Sequence, residues 1–196
     1  MSTVTGGSRF SYPFITIGTQ TWSTKNLDVS TYRNGDPIPE VTDFDEWLNL
    51  STGAWCYFDN DPANGEIYGK LYNWYAVADP RGLAPSGWHI PTLTEWNTLS
   101  TYLGGDAIAG GKMKEVGDSH WNLDVGATNS SGFTALPGGN IIYSGFYSLG
   151  ENCVLWSSTA DSTINAAARI LFSTSTLLDR YSYFKLSGLS VRLIKD

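Results

Sequence analysis

Charge is scarce in this chain, and cysteine and histidine are scarcer. Charged residues are 16% of 196, the net charge is −7, and there is no dense basic run. That balance argues against nucleic acid or another polyanion as partner. Two cysteines, Cys56 and Cys153, are too few for a disulfide framework or a zinc site. They either pair once or serve as small buried hydrophobes. The two histidines, His89 and His120, stand far apart in sequence, and neither cysteine has a basic or histidine-rich neighbourhood that would lower a thiol pKa. No phosphate-cradling glycine loop or serine elbow occurs. No apolar run is long enough to cross a bilayer, and Met1 to Ser8 lacks the basic and apolar regions of a signal peptide. The expectation is a soluble, non-enzymatic domain with no direct membrane insertion, no cofactor, no catalytic residue and no metal ligand.

What is present is apolar and aromatic. Hydrophobic residues make up 41%, aromatics 14%, and there are 21 glycines. One fair-sized domain with a real core and many turns follows, and the composition leans towards extracellular recognition domains. No internal repeat or linker divides the chain.

Tyr12 to Ile17 and Gly18 to Trp22 read as a hairpin. Thr42 to Leu50 suggests a short helical turn. Tyr68, Leu71, Tyr72, Tyr75 and Ala78 fall at helical spacing, so a helix is expected there, stopped by Asp79-Pro80. A clearer one begins at Thr92, where Glu95 three residues on completes a capping box; Leu93, Trp96, Leu99 and Leu103 form its stripe and Gly104-Gly105 end it. Gly110 to Gly150 reads as a long looped stretch anchored by Trp121, Phe133, Leu136, Tyr143 and Phe146. Asp59 to Glu66 gathers oxygen ligands but misses calcium-loop spacing, with Ala63 at a ligand position, so an Asp/Asn-rich turn is expected.

The closing segment carries the functional expectation. Alternation across Arg169 to Lys185 predicts strands, and Ser190 to Lys195 a terminal strand with one apolar face inward. Leu177, Leu178, Tyr181, Tyr183, Phe184, Leu186 and Leu189 exceed what one buried face of two short strands absorbs. Some of these rings should face water, where grouped rings mark contact sites; the alternative is that they fill an aromatic core. From Val154 onward the basic residues are Arg169, Arg180, Lys185, Arg192 and Lys195 against Asp161, Asp179 and Asp196. The tail is therefore net positive on a strongly acidic remainder.

Ile17-Gly-Thr-Gln-Thr-Trp22 with Asn26-Leu27, Trp55 to Asp61, Tyr68 to Trp74, Leu83 to Thr92, Ala109-Gly-Gly-Lys112, Ser131 to Gly139, Leu155-Trp-Ser-Ser-Thr159 and Ser190-Val-Arg192 together resemble the Fibrobacter succinogenes major paralogous domain family. The resemblance implies an α+β, C-type-lectin-like fold: two helices, a small antiparallel sheet joining the termini, and extensive loops. The implied layout is a flexible segment over 1–13 and a single domain over 14–196, with a variable ligand-binding region over 155–192. It also implies a bacterial surface or secreted protein, with a phage particle as the alternative, and some relatives look like targets of diversity-generating retroelements. Where relatives carry Asn, Tyr or Ser, this chain has Ala168, Ile170, Phe172, Leu177, Asp179, Tyr181, Ser182, Tyr183, Phe184 and Ser187. Each is reachable from an Asn codon by changing adenines, while Arg169, Leu171, Arg180, Lys185 and Gly188 stand between them as fixed posts. Ala167 departs from the Trp usual at its place. These ten positions are the expected ligand-binding residues, for a protein or glycan ligand, in a receptor or adhesin-like protein. The alternative is a non-diversified structural or adhesive module. The calcium-lectin signatures Glu-Pro-Asn, Gln-Pro-Asp and Trp-Asn-Asp are absent, so calcium-dependent sugar binding is not expected.

Overall fold

A computed structural model describes residues 12–143 and 145–196; most of the segment expected to be flexible lies outside them. In chain order the elements are β1 (Phe14–Ile17), β2 (Gln20–Ser23), α1 (Phe44–Leu48), β3 (Trp55–Cys56), α2 (Pro62–Tyr68), β4 (Leu71–Tyr72), α3 (Trp74–Val77), β5 (Trp88–His89), α4 (Leu93–Tyr102), α5 (Asp106–Met113), β6 (Gly138–Ile142), β7 (Gly145–Leu149), β8 (Asn152–Ala160), β9 (Asn165–Phe172), β10 (Leu178–Phe184) and β11 (Ile194–Lys195). The fold is α+β. One sheet has the order β1-β2-β11-β5, so the last strand lies between the first hairpin and the centre of the chain. A second has the order β10-β9-β8-β6-β7 and leaves β10 at an edge.

The hairpin and the capped helix form as the sequence predicts. The Thr92 side chain accepts from the Glu95 amide while the Glu95 carboxylate accepts from the Thr92 amide, the reciprocal capping that satisfies two otherwise orphaned groups. The helix expected over Tyr68 to Ala78 is instead broken into the end of α2, the strand β4 and the single turn α3. Gly69 leaves the helix at φ 73°, and Asn73 restarts one by accepting from the Ala76 amide. The apparent helical spacing arises from two elements burying their apolar residues in the same core.

The strands β8 and β9 are buried on both faces, which is why their sequences run apolar without alternation. On one face Val154, Trp156, Ala166, Ala168 and Ile170 join a cluster with Trp55, Tyr72 and Trp88. On the other Cys153, Leu155 and Leu171 join Trp22, Trp96, Leu99 and Met113. The indole N–H groups of Trp47, Trp55, Trp74, Trp121 and Trp156 each donate to a backbone carbonyl, so these rings sit in the interior without an unpaired donor. The closing segment is buried on both sides: Ser190 and Arg192, expected on a polar face, are 2% and 1% exposed. Arg192 donates to Asn26 Oδ1, to the Ser23 and Phe133 carbonyls and to the Thr134 carbonyl, over 2.6 to 2.9 Å. One side chain thus ties the end of the chain to residues 23–26 and 133–134.

Candidate functional site

The hairpin of β9 and β10 is held from behind by α5. Gly110 and Gly111 let the turn lie against the helix backbone: a Cβ at Gly110 would meet the Leu177 carbonyl oxygen at 2.1 Å, and one at Gly111 the Thr176 side chain at 2.9 Å. The Gly111 amide donates to the Thr176 carbonyl at 3.1 Å, and the Thr176 hydroxyl donates to the Ala107 carbonyl at 2.8 Å. Lys114 is fully buried, and its Nζ donates to the Val125, Phe172 and Ser175 carbonyls at 2.8, 3.0 and 2.9 Å. Burial pulls its pKa below the ordinary lysine value. The looped stretch expected from Gly110 begins inside α5, whose Ala-Gly-Gly centre has weak helix propensity; its glycines serve close approach.

The register of β10 on β9 is unbroken from Leu178↔Leu171 to Phe184↔Asn165. Asp179, Tyr181 and Tyr183 therefore share a face with Ala166, Ala168, Ile170 and Phe172. Small residues opposite the tyrosines leave room for their rings to lean across the strand. Ring centroids are 6.5 Å apart for Phe172 and Tyr181, 6.3 Å for Tyr181 and Tyr183, and 6.3 Å for Tyr183 and Trp156. The row thus runs from half-buried Phe172 through exposed Tyr181 and half-buried Tyr183 to Trp156 in the core. Phe184 projects from the other face.

The ten expected binding positions divide accordingly. Leu177, Tyr181, Ser182 and Phe184 are exposed, with Tyr181 at 46% and Phe184 at 51%. Phe172, Asp179 and Tyr183 are half-buried. Ala168, Ile170 and Ser187 are 0%, 2% and 3% exposed, so their expected contact with ligand is corrected: they form floor and core. The burial of β9 on both faces and the covered turn after β10 account for this, and both depend on contacts distant in the chain.

Fixed charges border the row. Arg180 pairs with Asp161. Lys185 places Nζ 4.5 Å from the Trp74 ring and donates to the Thr163 carbonyl at 3.0 Å. Burial raises the Tyr183 hydroxyl pKa, and the Tyr181 oxygen adds to the shift. Two surface cavities, of 190 Å³ beside Phe44, Trp47 and Phe146 and of 310 Å³ beside Thr16, Tyr102 and Lys112, include no residue of β10 in their walls. Cys56 and Cys153 are free and occupy different core clusters, so they do not pair. Burial lifts Cys153 to about 12 and raises Cys56 as well, leaving neither a thiolate at neutral pH.

The chain matches the Fibrobacter succinogenes major domain over residues 15–195 and belongs to that family. No curated protein and no solved structure matches it.

Proposed function

We propose that this chain is a non-enzymatic ligand-binding module that presents the β9–β10 hairpin to a macromolecular partner, protein or glycan, on a C-type-lectin-like scaffold. The observation that carries the reading is the half-exposed ring row of Phe172 on β9 with Tyr181 and Tyr183 on the edge strand β10, whose backbone is locked to β9 and packed on α5. Tyr and Phe rings lose little entropy on contact, and a rigid frame lowers the cost of binding further. The lectin-like reading is supported by the meeting of the first hairpin, β1 and β2, with the last strand, β11, in one sheet. Receptor or adhesin duty at a bacterial surface, or on a phage particle, agrees with this layout. Retroelement diversification is supported at Leu177, Tyr181, Ser182 and Phe184, which are exposed, and opposed at Ala168, Ile170 and Ser187, which are buried. Those buried positions favour the second reading, a structural or adhesive module with fixed contacts.

The test is a protein and glycan array probed with the purified domain, together with inspection of the neighbouring DNA. Specific capture lost in Tyr181→Ala supports recognition through the row. A near-copy of the region encoding Leu155 to Arg192, differing at adenines beside a reverse transcriptase gene, supports diversification. A clean array and no such copy leave the structural module standing.

A further inference from the structure

The outer edge of β10 is complementary to itself, and we propose that two copies of the chain pair through it, antiparallel, about a two-fold axis at Ser182. The direction of each backbone group fixes this edge. The Ser190 amide donates to the Val154 carbonyl at 3.2 Å and the Trp156 amide donates to the Ser190 carbonyl at 3.0 Å, so Val154 and Trp156 aim their backbone groups away from β9. Because a residue's N–H and C=O leave a strand on the same side and successive residues alternate, Cys153 and Leu155 bond to β9, while Ala166, Ala168 and Ile170 bond to β10. Asp179, Tyr181 and Tyr183 are thereby satisfied within the sheet. Arg180, Ser182 and Phe184 aim outward, and all three are exposed.

Some of these outward groups are already satisfied. The Arg180 amide donates to Asp179 Oδ1 at 2.8 Å, and the Phe184 carbonyl accepts from the Ser187 amide at 2.8 Å. The Arg180 carbonyl, both Ser182 groups and the Phe184 amide have no hydrogen-bond partner among the described residues. That remainder fits a second copy. With the axis at Ser182, the two serines exchange both of their bonds, and each Phe184 amide reaches the other copy's Arg180 carbonyl. The groups this pairing would leave over, the Arg180 amide and the Phe184 carbonyl, are the two satisfied within each copy.

Side chains obey the same symmetry, since Asp179-Arg-Tyr-Ser-Tyr-Phe-Lys185 reads as a palindrome of chemistry. Tyr181 meets the second copy's Tyr183, Arg180 its Phe184, and Asp179 its Lys185, so rings oppose rings, a cation opposes a ring, and opposite charges face each other. Edge strands kept from pairing carry charged side chains, prolines or bulges; Arg180 to Phe184 has no proline, its register on β9 is regular, and its one charge, Arg180, is paired with Asp161. Pairing uses the edge and leaves both faces open, so the ring row would continue across the dimer. It stands apart from the ligand-binding reading, and either can fail without the other.

The test is the mass of the intact chain by analytical ultracentrifugation across concentration, with amide exchange followed by NMR. The mass should rise from 21.4 kDa towards twice that value. The Ser182 and Phe184 amides should exchange more slowly as concentration rises, while those of Asp179, Tyr181 and Tyr183 are protected throughout. Ser182→Pro removes the central donor without touching the β9 ladder and should leave a monomer. Asp179→Lys should weaken pairing several-fold, because the like-charge clash occurs twice, and adding Lys185→Asp should restore it; this pair decides the matter if the proline variant does not fold. A monomer up to about 1 mM, where even weak specific pairings are half-formed, overturns the proposal. So does a dimer whose Ser182 and Phe184 amides exchange freely.

Discussion

Tyr181 and Tyr183 sit two residues apart on one face, yet they belong to different parts of the energetics. Tyr181 is the most exposed ring of the row, whereas Tyr183 packs edge-on against the fully buried Trp156. Tyr181→Ala should change stability by no more than about 1 kcal/mol, and Tyr183→Ala should cost about 1 to 3 kcal/mol by leaving a void against Trp156. Thermal denaturation of the two variants separates them, and equal losses would place both rings in the core. Arg192 is the opposite case, a charge with no carboxylate partner, held by backbone carbonyls and one amide oxygen. Burial pulls its pKa to about 10, so it stays charged at neutral pH. Arg192→Lys cannot reproduce the planar fork and should cost about 2 kcal/mol or more, read as a lowered denaturant midpoint. The sequence displayed Arg192 as one residue of an alternating strand; its burial depends on Ser23, Asn26 and Phe133, far away in the chain, so no local pattern could reveal it.

At the scale of elements, the hairpin of β9 and β10 is a presented object and α5 is its mount. Gly110→Ala would drive a Cβ into the Leu177 carbonyl, a backbone group that cannot rotate aside. We expect a loss of about 1 to 3 kcal/mol and disturbed amide chemical shifts from Ser173 to Leu178, visible in a heteronuclear NMR spectrum. A variant with unaltered shifts in that turn would contradict this account of the mount. The legible elements were those with local grammar. The glycine turn gave the first hairpin, and Thr92 with Glu95 gave α4. Where grammar is tertiary the reading failed. Tyr68 to Ala78 has helical spacing because β4 and α3 bury Tyr72, Ala76 and Val77 in one core, and the glycines of α5, weak helix formers, answer to the neighbouring turn.

For the whole molecule, the closure between the middle of the chain and its last residue carries a pH dependence. His89 lies between Glu95 and Asp196, with ring nitrogens 2.8 Å and 2.7 Å from their oxygens. Burial opposes its charge, but the two carboxylates outweigh burial and raise its pKa. The contribution is therefore fully present below the unfolded value of about 6.5 and is lost as pH rises through the raised folded value. The melting temperature of the wild type should exceed that of His89→Gln most in mildly acidic buffer, and the gap should close towards alkaline pH. A constant gap would show that the histidine is neutral throughout. The candidate site was legible at this scale only in outline. An excess of rings near the end of the chain pointed to β10, and its edge position left Tyr181 and Phe184 in water. Which of the ten positions were closed depended on β9 lying between two cores. The account stands on the separation of surface from frame, and a ligand found by array screening tests it directly when binding and melting are measured on the same Tyr181→Ala/Phe184→Ala double variant. The prediction is a melting temperature within a few degrees of wild type and loss of binding; a collapsed melting temperature, or undiminished binding, would contradict it.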